Sequence, residues 1–181
     1  MFRTKWVAVA TVVIALGAAG CGASDAGTGA AAAPASPRPK GSGPITREVV
    51  RTDLDTSAAD ADVPPNDPAY ARMSEKKAAE GSPGSCGVGF KGFGTEATPV
   101  DVSRYEAVVS ELRRRDWQQR GERTESKGDD GVILEARVLL EQRGWTLVTE
   151  YRTALDDGVI TLMAFEDRCM KENAAEAGPV G

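Results

Sequence analysis

Seven of the chain's ten aromatic residues stand between two cysteines, and that placement limits where a core can form. Phe90, Phe93, Tyr105, Trp117, Trp145, Tyr151 and Phe165 all fall between Cys86 and Cys169. Residues 22–85 are different in kind: Gly, Ala, Ser, Pro and Asp dominate, and Tyr70 is the only aromatic. A stretch of that composition buries too little apolar area to offset its ordering entropy, so a disordered tether is expected over 21–85. Within it, the Pro34–Pro39 part should be locally extended. Asp67-Pro68 offers an N-cap followed by proline at the first helical position, enough to start a short helix through Ala79. The expected organisation is a leader over 1–20, the tether, a small domain over 86–170 and a frayed tail over 171–181.

Inside the domain, Tyr105, Val108, Val109 and Leu112 recur at helical spacing, and Ser103 with Glu106 reads as a capping box, which predicts a helix over about Arg104–Arg115. Arg113, Arg114 and Arg115 then form a cationic last turn that complements the helix dipole. Two Asp-Asp-Gly-Val-Ile strings, at 129–133 and 156–160, are turns feeding β-branched runs. Residues 132–143 are read as a strand with Val132, Leu134, Ala136, Val138 and Leu140 on one face. Arg143-Gly144 turns it into a strand over Trp145–Arg152, and Val159–Glu166 returns beside that. With Trp117–Thr124 as a first strand and Cys86–Phe93 before the helix, the expectation is an α+β domain. One helix packs on an antiparallel meander of four to five strands, preceded by the disordered tether.

The N-terminus carries its own instruction. Arg3 and Lys5 precede an unbroken run of thirteen apolar and small residues, Val7–Ala19. That is the pattern of a secretory leader, and the run is shorter than the roughly twenty residues a spanning helix needs. Ala18-Ala19-Gly20-Cys21 resembles a bacterial lipobox, which implies a diacylglyceryl group on the Cys21 thiol and cleavage before that residue. Cleavage after Ala19 with release of a soluble protein is the alternative. Cysteine parity bears on the choice: there are three cysteines, and lipidation of Cys21 leaves Cys86 and Cys169 as an even pair for a disulfide. Two acyl chains on one residue also meet the requirement for stable anchoring. The whole arrangement of leader, Ala/Pro/Ser-rich tether and compact two-cysteine domain resembles the small lipoproteins that high-GC Gram-positive bacteria export.

Charge and composition exclude several chemistries. With no histidine, no imidazole ligand, His-based triad or histidine switch exists. The net charge is −5, and loss of Arg3 and Lys5 with the leader makes it −7, a poor match to nucleic acid or an anionic bilayer. Gly87-Val88-Gly89-Phe90-Lys91-Gly92 fits G-x-G-x-x-G, but no helix opens on it, and glycine-relieved strand packing is the better reading. Ser74-Glu75-Lys76-Lys77 lacks the companion motifs of a Ser-x-x-Lys enzyme. Asp129-Asp130 and Asp156-Asp157 are explained by turn geometry rather than calcium binding. Cys86 and Cys169 have no Cys-x-x-Cys spacing or extra ligands, so a structural disulfide is expected in place of a redox or metal pair. Trp117 and Trp145 are assigned to the core.

No catalytic residue, cofactor or metal is therefore expected. The reading is a lipid-anchored extracytoplasmic protein, held to the cell membrane through Cys21, whose domain is a non-catalytic binding or adaptor module for an envelope or cell-wall partner. A small-ligand carrier is one alternative. A carboxylate-dependent hydrolase using Glu166 or Asp167 is another.

Overall fold

The computed structural model describes residues 43–75, 83–154 and 157–176. Helix α1 (Arg47–Asp60) is followed by α2 (Pro68–Glu75), a 3-10 turn (Pro83–Cys86) and strand β1 (Gly87–Phe93). Helix α3 (Val102–Arg114) leads into β2 (Gln118–Lys127), β3 (Ile133–Gln142), β4 (Trp145–Ala154) and β5 (Asp157–Glu166), after which comes α4 (Asp167–Glu176). Strands β2 to β5 form the expected antiparallel meander, and β1 joins beside β5 in the order β1-β5-β4-β3-β2.

The expectation of one helix behind a disordered tether is overturned. Four α-helices lie among the described residues, and two of them, α1 and α2, fall in the stretch read as tether. Composition misled because α1 buries a mixed face: Val50, Leu54 and Ala58 recur every fourth residue, and the buried positions beside them are Asp53 and Ser57. Both polar groups are satisfied across the core. The Trp117 indole N–H donates to Asp53 Oδ2 at 3.0 Å, and Arg115 Nε donates to Ser57 Oγ at 3.1 Å while its Nη2 pairs with Asp60 at 2.8 Å. Hydrogen-bonded burial of this kind avoids the desolvation penalty that an average over the segment anticipates.

Helices α1 and α3 cover one face of the sheet, hereafter the inner face. The core holds Val50 and Leu54 of α1, Tyr105, Val108 and Leu112 of α3, Trp117, and the alternate strand residues Phe90, Val138, Leu140, Leu147, Ile160 and Leu162. The predicted alternation along β4 is present, with Trp145, Leu147, Thr149 and Tyr151 buried. Helix α3 begins earlier than its expected capping box. Asp101 is the N-cap, accepting from Arg104 N at 2.9 Å, and Ser103 Oγ donates to the same carboxylate at 2.7 Å. Residues 171–176, expected to fray, continue α4.

Strand β3 departs from its expected pattern at one end. Ala136, Val138 and Leu140 are buried, but Val132 is 55 % and Leu134 40 % exposed, because the β2–β3 register shifts between Ser126 and Lys127 and Ile133 packs against the core in their place. The Arg143-Gly144 reversal holds as predicted, with both residues at positive φ (45° and 86°), the geometry that a two-residue hairpin turn demands and glycine supplies at no cost.

Between α1 and α2 the chain crosses the outer edge of β1 and seals it. Asn66 Nδ2 donates to Gly89 O at 3.2 Å, Lys91 N donates to Asn66 Oδ1 at 3.0 Å, and Asp67 N donates to Lys91 O at 2.8 Å. The Arg47 guanidinium completes the seal on Gly87 O and, at 2.8 Å, Ser85 O. Asp67 also caps α2 through Tyr70 N at 2.8 Å, as the Asp-Pro step predicts. The helix then lies on the outer face at β1. Tyr70 packs over Gly89, where a Cβ would come within 2.8 Å of its ring, and its hydroxyl meets Met163 Sδ.

Candidate functional site

Two features carry functional information: the clasp that closes the domain and the outer face of the sheet. Cys86 and Cys169 are disulfide-bonded, joining the start of β1 to α4 across 83 residues of sequence. Asn173 Nδ2 lies 2.8 Å from the Cys86 sulfur and 3.8 Å from that of Cys169. Nearby, Asp167 Oδ1 at the start of α4 accepts from Thr146 Oγ1 at 2.7 Å. The third cysteine, Cys21, lies outside the described residues.

The chain enters the domain at this same end. Trp145 Nε1 donates to Ile45 O at 3.0 Å and Arg143 Nε to Gly43 O at 2.5 Å, so residues 43–45 are held against the β3–β4 turn. Whatever precedes residue 43 therefore leaves from the disulfide end of the sheet. The β2–β3 turn, with exposed Val132, lies at the other end.

The outer face of β2, β3 and β4 is a charged lattice. Register places Thr124, Arg137 and Glu150 in one row across the three strands and Ser126, Glu135 and Arg152 in the next. Together they line a shallow trough of about 240 Å³. Arg152 Nε takes both acids, Glu150 at 2.6 Å and Glu135 at 3.5 Å. Arg137 is exposed and makes no ion pair among the described residues. The adjoining row is apolar: Leu139, Val148 and Met163 align across β3, β4 and β5, ending under Tyr70 at Gly89. Burial in that packing pushes the Tyr70 phenol above its ordinary value.

The remaining sequence candidates are not brought together. The Gly87–Gly92 glycines lie in β1, where Gly92 leaves room for Val63 to cross within 2.6 Å of its absent Cβ; the strand-packing reading holds. Trp117 and Trp145 are core residues. Asp130 Oδ1 caps Val132 N at 3.0 Å inside its turn, and Asp129 is exposed. Asp157 opens β5 opposite Ala154, and Asp156 lies outside the described residues. Ser74 is in the last turn of α2, and Lys77 is not described. Glu166 sits opposite Trp145 in the ladder and Asp167 is taken by Thr146, so the two acids share no site. Of the three arginines ending α3, Arg114 pairs with Glu111 at 2.6 Å and Arg113 meets Gln119. Arg115 serves instead to tie α3 to α1. Among the described residues no group of three His, Cys, Asp or Glu side chains is placed to hold a metal ion, and no helix is long and apolar enough to cross a membrane.

Sequence reasoning missed Asp53, Ser57, Asn66 and Arg137. The first two carried no signal beyond their four-residue spacing within Val50–Ala58. Arg137 was visible as the charge opposite Glu150 once the Arg143-Gly144 turn set the hairpin register. No protein-family model, curated protein or solved structure matches the chain.

Proposed function

We propose that the chain is an exported lipoprotein, cleaved before Cys21, acylated on that thiol, and held at the extracytoplasmic face of the cell membrane as a non-catalytic binding domain. The observation that carries this reading is the Cys86–Cys169 bond. It uses two of three cysteines, leaves Cys21 alone beside a lipobox-like sequence, and is a bond suited to an oxidising compartment. The entry of the chain at the disulfide end supports the same picture. Residues 22–42 could hold that end at most about 75 Å from the anchor, by the reach of an extended chain. The β2–β4 outer face stands along the side of the domain, clear of α1 and α3, and it supplies the exposed charge through which a partner would be recognised.

Intact-mass measurement on chain recovered from membranes tests the anchor. The expected species begins at Cys21 and carries a diacylglyceryl group, and Cys21→Ala moves the protein out of the membrane fraction. An unacylated chain, or two titratable thiols in the unfolded, unreduced protein, would overturn the reading. For the binding surface, R137E/R152E should abolish capture of its partner by chain displayed on cells, while near-ultraviolet circular dichroism from the buried tryptophans stays unchanged.

A further inference from the structure

The alternation of charge on the outer face is self-complementary, and its symmetry names an occupant. Across the β3–β4 ladder Arg137 stands opposite Glu150 and Glu135 opposite Arg152, while Leu139 stands opposite Val148. A two-fold axis laid along the strands between β3 and β4 exchanges the members of each pair. A second copy placed face to face on that axis sets its Glu150 over Arg137, its Arg137 over Glu150, its Arg152 over Glu135 and its Glu135 over Arg152. Leu139 and Val148 meet in the adjoining row. Stacked sheets align their strands within about 30°, which this arrangement respects.

The surroundings select this axis. The sheet order puts β2 and β5 symmetrically to either side of the β3–β4 seam. The second copy's β5 thus falls over β2, Thr161 over Thr124 and Val159 over Ser126. Helix α2 occupies the outer face at β1 and its Tyr70 reaches Met163 on β5, so it borders the contact at the second copy's β2 edge, where Tyr70 meets Arg120 of that copy. An axis running across the strands would also alternate the charges, but it lays α2 over the second copy's β1. Arg137, with no ion pair among the described residues, gains a carboxylate partner. The exposed guanidinium and carboxylates of Arg152 and Glu135 exchange one salt link for another. An apolar row flanked by paired charges is also the usual anatomy of a protein interface.

We infer that the outer face of β2–β5 is a homodimer interface, closed about a two-fold axis along the β3–β4 seam. The inference rests on the reading of this face as the binding surface and names its partner as a second copy of the chain. Isologous pairing of one patch with itself is the commonest closed symmetry among soluble oligomers.

Light scattering on the full chain in a nonionic detergent is expected to give the mass of two copies, falling toward one copy as salt is raised. An all-acid face (R137E/R152E) and an all-basic face (E135R/E150R) should each weaken self-association about ten-fold or more. Mixed in equal amounts, the two variants should return to the two-copy mass. A parent chain of single-copy mass up to its solubility limit would overturn the inference, with or without folded variants. So would an all-acid variant that keeps the two-copy mass. If the parent is a single copy while R137E/R152E still abolishes capture of another envelope protein, the binding reading stands and self-association alone falls.

Discussion

Asp53 is a carboxylate in the interior, and the indole of Trp117 is what makes that tolerable. Truncation to alanine leaves the buried indole N–H without this acceptor, so Asp53→Ala should cost roughly 2 kcal/mol, seen as a lower urea midpoint with an unchanged slope. Asp101 acts at the surface. Its carboxyl is held below the usual aspartate range by the Ser103 hydroxyl and then by the Arg104 amide. A depressed folded value means the cap stabilises above the unfolded value, near 3.8, and that this contribution is lost as pH falls through the folded value. Asp101→Ala should therefore cost about 1 kcal/mol at neutral pH, with the gap from the parent closing in acid; a thermal-melt series from pH 7 downward checks the sign. These two aspartates also mark what was legible. Asp101 differs from the expected Ser103 cap by two positions because the helix opens at Val102, so that Asp101 is the side chain that reaches Arg104 N and Ser103, inside the first turn, donates to it. Asp53 was illegible: its partner is 64 residues away, and no local pattern encodes a bond of that span.

Among elements, α3 and the meander were readable because each keeps its own period and its own turns, and the hairpin at Arg143-Gly144 sets the β3–β4 register without help. Helix α1 was not, because its burial is conditional on Trp117 and Arg115, which come later in the chain. The same dependence works in reverse. A chain beginning at Ser85 keeps α3 and the whole meander, yet it uncovers the surfaces that Val50, Leu54 and Ala58 fill. Two fully buried aliphatic side chains alone are worth about 3–6 kcal/mol by transfer, comparable to the whole stability of a small domain. That shortened chain should lack a cooperative thermal transition and bind a hydrophobic dye, whereas one beginning at Gly43 should melt cooperatively. A sharp transition in the shorter chain would show that α1 is an accessory to the fold.

At the scale of the molecule, the disulfide closes nearly everything from β1 onward. Cross-linking over 83 residues contributes about 4–5 kcal/mol through the chain entropy it removes from the unfolded state. The double variant C86S/C169S should lose most of that, and reduction of the parent should bring its melting point down to meet the variant's. The position of the pair was visible from the sequence, one cysteine at each end of the aromatic-bearing stretch. The sealing of β1 by Asn66, Asp67 and Arg47 was not, since it depends on a chain crossing that only the tertiary structure supplies. At the opposite margin, β2 carries Arg120, Glu122, Arg123, Glu125 and Lys127 and breaks its ladder near Gly121, at φ 74°. Neither border can therefore recruit another strand. However concentrated such molecules become, strand addition cannot continue from one to the next, and they cannot grow into ribbons.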